Sequence, residues 1–152
     1  MKAKGMDGLD ARILRILLEN SRLSYRKISR KLGVSVATVM NRVNAMEKGK
    51  IITSYTAGLD YEKLGYTIKV VIELRVAKGK LLEVESRIAD HPNVSAVYDI
   101  TGPFDALVVA VFRSRMELDY FLKKIQTYEF VERTETKLVL NIMKEKPVLP
   151  VG

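Results

Sequence analysis

The chain has 152 residues, of which 47% are apolar and 29% charged, the composition of a folded globular protein with a real core rather than a disordered one. The longest apolar run, Ala106 to Phe112, is far shorter than a membrane span needs, and cysteine is absent, so disulfides, thiolate metal sites and cysteine nucleophiles are excluded. The formal net charge is +8, but residues 1–60 hold 12 Lys/Arg against 5 Asp/Glu while residues 61–152 hold 14 against 13, so nearly all the excess sits in the first 60 residues.

A basic block beside a near-neutral one suggests one part that meets a polyanion and another with a different task. Charge alone leaves DNA, RNA and anionic membrane open. No apolar stretch follows Met1-Lys2-Ala3-Lys4, so no cleaved leader is expected and the chain reads as cytoplasmic. The one histidine, His91, precedes Pro92 and fits a helix-ending turn; with no second histidine and no carboxylate or lysine in a catalytic motif, the expectation is a non-enzyme without metal or cofactor.

In chain order, Asp7 is placed to cap a helix whose apolar positions are Leu9, Ile13, Ile16 and Leu17, broken at Asn20-Ser21-Arg22. Ser24 caps the next, with Leu23 and Ile28 as a hydrophobic staple, and Gly33 ends it as a left-handed residue. Ser35 follows at once with a second staple, Val34 and Val39, and the third helix runs to Lys48 before Gly49. Two helices across Gly33-Val34-Ser35 form a helix-turn-helix, the expected domain of residues 1–50.

In the second of these helices Val36, Val39, Val43 and Met46 are expected in the core, leaving Ala37, Thr38, Asn41, Arg42, Asn44, Ala45 and Lys48 for the outer face. Such a helix fits a DNA major groove: asparagine pairs with adenine, arginine with guanine, and small Ala37 and Thr38 allow approach to a thymine methyl. Ser24, Tyr25, Arg26 and Lys27 suit phosphate contacts at a helix N-terminus, with Ser35 at the next. The alternative is a three-helix module with a merely solvated polar face. Arg42 has its own alternative, pairing with a carboxylate such as Glu47 or Asp10.

After a linker over residues 51–65, residues 66–143 read as a βαββαβ unit. Tyr66 to Val76 alternates as a strand; Leu81, Val84 and Ile88 mark a helix ending at His91-Pro92; Val94–Thr101 and Phe104–Phe112 are strands joined across Gly102-Pro103. Ser114 caps a helix with Leu118, Phe121, Leu122 and Ile125 on one face, and Val131–Met143 is the last strand, before an extended tail over 144–152. The fold class is thus α+β, a helix-turn-helix domain followed by a ferredoxin-like domain. Ala106 to Phe112 is apolar on both faces, and two helices cover only one face of a four-stranded sheet, so a second copy of the chain is the simplest lid for the other. An RNA-binding use of this fold would want sheet aromatics, and only Tyr98 lies near the middle of a strand.

Several stretches, in order, resemble the Lrp/AsnC (feast/famine) family of prokaryotic transcription regulators: Leu9-Asp10-Ala11-Arg12-Ile13-Leu14, Ile28 to Ser35, Thr38-Val39 through Arg42-Val43 to Met46-Glu47, Gly49-Lys50-Ile51-Ile52, Leu64-Gly65-Tyr66, Tyr98 to Asp105, and Val131 to Thr136. The resemblance implies the same two domains with a hinge strand near Ile51 to Leu59, assembly of dimers into octamers, and control by amino acids or related metabolites. It places an effector against the turn after the second strand, here Thr101-Gly102-Pro103-Phe104-Asp105, with Tyr98 beside it and hydroxyls from Thr134 and Thr136; Asp105 would accept from an α-ammonium. Pro103 stands where the family has an acid, which removes a carboxylate and a backbone donor. The plainer alternative is that Gly102 and Pro103 only make the turn and Asp105 caps it. Function then divides between a sequence-specific, effector-tuned regulator of double-stranded DNA, an architectural DNA-coating protein, and an amino-acid-sensing subunit that binds no DNA.

Overall fold

The computed structural model describes residues 6–149; the first five residues and the end of the anticipated tail lie outside the described residues. The chain divides into two compact units, one running up to Gly58 and joined by the segment from Lys144, the other spanning Leu59–Met143. Among the described residues no helix is long and apolar enough to cross a membrane.

The first unit holds α1 (Gly8–Glu19), α2 (Tyr25–Leu32) and α3 (Val36–Lys48). Each begins where its cap dictates: the Asp7 carboxylate accepts from the N–H groups of Leu9 and Asp10, Ser24 Oγ from Lys27 N–H, and Ser35 Oγ from Thr38 N–H. The Asp10 carboxylate in turn accepts from Asp7 N–H at 3.0 Å, completing a capping box. Gly33 ends α2 at φ 68°, a left-handed conformation that a residue with a Cβ adopts only at a cost. At the end of α3 the left-handed residue is instead Lys50, at φ 55°, because the bonds Lys50 N–H to Glu47 O and Ile51 N–H to Met46 O close the helix one residue beyond Gly49.

The three helices enclose a small core of Ile13, Leu14, Ile28, Val39, Val43 and Met46, with Ile52 and Leu149 packed against it. Ser29 is buried where α2 and α3 cross and donates its hydroxyl to Arg26 O at 2.9 Å. Val36 departs from expectation. It is 43% exposed although it lies on the side of Val43, because it stands in the first turn of the helix, outside the cluster that Val39, Val43 and Met46 build. An open groove of about 1050 Å³ on this unit is lined by Leu14, Leu17, Leu18, Ile51 and Ile52, with Pro147 on its rim.

The second unit contains β1 (Ile68–Val76), α4 (Leu81–Ala89), β2 (Val94–Asp99), β3 (Ala106–Phe112), α5 (Arg115–Gln126) and β4 (Val131–Leu138). The sheet is antiparallel in the order β2-β3-β1-β4, the split βαβ arrangement expected. Val84 and Ile88 of α4 and Phe121 and Ile125 of α5 pack on Val70, Ile72, Leu74, Val108, Ala110 and Phe112, so both helices cover one face. In the pairing register, Val71, Leu107 and Val109 line the other face, where they stay partly exposed.

Four strand limits differ from expectation, each set by where the continuous ladder stops: β1 begins at Ile68 rather than at Tyr66. β4 ends at Leu138, opposite Val70, because β1 begins only at Ile68; one further bond, Val139 N–H to Lys69 O, closes the ladder. β2 ends at Asp99 and β3 begins at Ala106, opposite one another, leaving Thr101 and Phe104 in the connecting turn. The hinge strand near Ile51 to Leu59 is not a strand within the chain, since no backbone pairs with it there.

Candidate nucleic-acid interface and effector turn

The outward face of α3 carries Ala37, Met40, Asn41, Asn44 and Lys48, all exposed, opposite the buried Val39, Val43 and Met46. Ser35 and Thr38 are drawn together at its start: the two hydroxyls lie 2.8 Å apart while Ser35 also caps the helix. Ser24, Arg26 and Lys27 are exposed at the start of α2, whereas Tyr25 is partly buried against the three-helix core.

Arg42 points elsewhere. Its guanidinium lies 2.7 Å from the Asp7 carboxylate and 3.2 Å from that of Asp10, whose side chain is only 5% exposed. Of the two carboxylates weighed for it, Asp10 is the partner; Glu47 instead accepts a 2.7 Å hydrogen bond from the Tyr55 hydroxyl. The ion pairs join α3 to the first turn of α1 and take Arg42 off the outer face. The backbone N–H of Asp10, and then Arg42, hold the Asp7 carboxyl below its ordinary range, and Asp7 in turn raises the arginine. Burial, and then the Glu47 carboxylate, push the Tyr55 phenol up to about 12, so it remains a donor throughout the physiological range. Tyr55 therefore ties the segment leaving this unit to the last turn of α3. Sequence reading missed Tyr55 and Met40, and nothing in residue spacing marks either.

In the second unit the effector candidates do not converge within one chain. Tyr98 sits on edge strand β2 opposite Leu107, on the face the helices leave uncovered, and is 55% exposed. Thr134 and Thr136 lie on the other edge strand, paired with Leu74 and Ile72 and so on the helix-covered face; Gln126 Nε2 donates to Thr134 Oγ1 at 3.5 Å. Strands spaced ~4.8 Å apart put the two edges about 14 Å from each other. Thr101 and Gly102 are exposed in the turn, with Gly102 at φ 124°, and Phe104 lies under the Arg133 guanidinium at 5.6 Å. Asp105 extends the β1–β3 pairing: its N–H donates to Leu74 O and its Oδ2 accepts from Val76 N–H at 2.8 Å. The carboxylate thus serves β1, twenty-nine residues away, rather than capping the turn at Gly102 and Pro103. Among the described residues there is no acid or histidine cluster that could hold a metal ion.

A capped trihelical unit with an outward polar helix, attached to a split βαβ unit, defines the class of helix-turn-helix regulators with a separate sensing domain. Comparison with known proteins narrows the class. The family model for the AsnC-type helix-turn-helix domain matches residues 6–47, and that for the Lrp/AsnC ligand binding domain matches residues 69–149. An uncharacterized HTH-type transcriptional regulator of Pyrococcus furiosus is 43% identical over 140 residues, 92% of this chain and 95% of its own. The HTH-type transcriptional regulator FL11 of the same organism is 34% identical over 146 residues, 96% of this chain and 97% of its own. Among solved structures, Escherichia coli AsnC superposes with a TM-score of 0.87 at 27% identity, covering 94% of this chain and 97% of that one. A Neisseria meningitidis transcriptional regulator in complex with L-Met has the same fold, with a TM-score of 0.90 at 24% identity over 95% and 96% of the two chains. The chain belongs to the Lrp/AsnC family of transcription regulators.

Proposed function

We propose that this regulator binds double-stranded DNA through α3 and adjusts that binding to a small amino acid or related metabolite. One observation carries the DNA reading: a Ser35-capped helix presents Ala37, Asn41, Asn44 and Lys48 outward from the part of the chain that holds almost all the excess positive charge. Ser24, Arg26 and Lys27 supply phosphate contacts, and Tyr25 works from a partly buried ring. Arg42 serves as a strut between α3 and α1 rather than as a reader of bases. The protein works in the cytoplasm, where that DNA lies.

The effector reading rests on the matched ligand-binding domain and on the turn at Gly102. Because Tyr98 and the Thr134–Thr136 pair occupy opposite edges and faces of the sheet, one small molecule would meet them only by taking residues from more than one copy of the chain. A second copy also supplies a lid for Val71, Leu107 and Val109, and two copies present two α3 helices to paired half-sites.

Titration of binding to duplex DNA against salt tests the first claim: each phosphate neutralised steepens the log–log slope by ~0.9, and a flat slope overturns it. Competition with random DNA then separates a sequence-specific regulator from an architectural one. Calorimetric titration with a panel of amino acids tests the effector, and silence across the panel retires it. Light scattering tests the lid: Val109→Lys is expected to reduce the particle to a single chain.

A further inference from the structure

Six large apolar side chains of the first unit are exposed among its described residues: Leu18, Val36, Met40, Ile51, Tyr55 and Val148. Leu18, Ile51 and Tyr55 line the groove beside the departing segment. Val36 and Met40 do not. They stand one turn apart on α3, 43% and 42% exposed, Val36 beside Ala37 and Met40 beside the outward Asn41 and one turn before Asn44. A β-branched valine in the exposed first turn of a helix has nothing to recommend it as a helix former, and neither residue packs in the three-helix core.

We infer that Val36 and Met40 read the C5-methyl groups of thymine, and that α3 thereby selects A·T steps. The inference rests on the DNA reading above. The thymine methyl is the one apolar group on the base edges of the major groove, so an apolar pair at the leading end of a groove-entering helix has a single kind of partner there. The neighbouring polar groups agree: Asn41 and Asn44 carry the amide that pairs with adenine N6 and N7, the base opposite each thymine. The side chain best suited to guanine, Arg42, is held away by Asp7 and Asp10. The unit's positive charge supplies the attraction to the duplex, and the apolar pair supplies the choice of bases.

The test uses the full chain as it is. A site is first selected from a randomised duplex pool, and each thymine is then replaced in turn by deoxyuridine, which removes only the methyl. Loss of about threefold to fourfold in affinity is expected at each contacted thymine, the worth of one buried methyl. Val36→Ser and Met40→Gln, with folding checked by circular dichroism, are expected to erase that penalty while leaving the salt slope unchanged. Deoxyuridine without effect, or a selected site built on G·C pairs, overturns the inference and leaves salt-dependent DNA binding standing. No binding to any duplex at any salt overturns both.

Discussion

The two units of this chain hold themselves together differently. The sheet unit encloses thirteen buried residues between two helices and a four-stranded sheet, whereas the helical unit encloses six. A core that small leaves much of the work to polar fixings, and the helical unit has them: a capping box at Asp7, serine caps on α2 and α3, and the ion pairs of Arg42 with α1. Its third helix is thus fixed by directional bonds at its side and ends around a small core, while the sheet unit adds to its hydrogen-bonded ladders a core twice the size.

That contrast can be broken by experiment. Phe112→Ala removes one of the largest fully buried side chains of the sheet unit, and a loss of about 3–5 kcal/mol is expected in chemical denaturation. Equal damage to the helical unit, followed by its helical signal, would show that the two do not unfold separately. Asp10→Ala removes a buried carboxylate that holds both the α1 cap and Arg42; about 1–3 kcal/mol of the helical unit's stability is expected to go with it, together with DNA affinity. A silent result would mean that the small core suffices alone. Lys50→Gly relieves a left-handed residue at the end of α3 and is expected to add about 0.5–1 kcal/mol, measured by thermal melting.

Acid should produce the smallest effects, and in a set order. Burial, and then Lys124, lower His91, whose Nδ1 accepts from Asn93 N–H. The unfolded chain therefore takes up its proton first, and the sheet unit loses stability as pH falls below the ordinary value of 6.5 until the lower folded value is reached. The Asp7 contribution in the helical unit is full above its ordinary value of 3.8 and is lost as pH falls through its lower folded value. Unfolding profiles of the wild type and of His91→Phe between pH 4 and 8 check the first: the slope just below 6.5 should flatten in the variant.

The same contrast governs what residue order reveals. Helix limits in the first unit followed from Ser24, Gly33 and Ser35 because caps and left-handed glycines act on neighbours in sequence. Strand limits in the second unit did not: the ends of β2 and β4 and the start of β3 are set by partners up to about seventy residues away, which periodicity does not see. The outward face of α3 was legible through Ala37, Asn41 and Lys48, but the exposure of Val36 was not, since spacing places it beside Val39 and Val43 and only its place in the first turn leaves it outside the core. The turn from Thr101 to Asp105 was legible as a turn; that Asp105 serves β1 is a contact across twenty-nine residues to Val76.

One feature of the division into units bears on how the protein is made. The helical unit is interrupted: it runs to Gly58 and resumes at Lys144, with Pro147 on the rim of its groove and Leu149 against its core. A growing chain therefore emits three helices early but delivers the closing pieces of their surface only after the whole sheet has been synthesised. The helical unit is therefore the first to be started and the last to be finished, its surface incomplete until the second unit has been made.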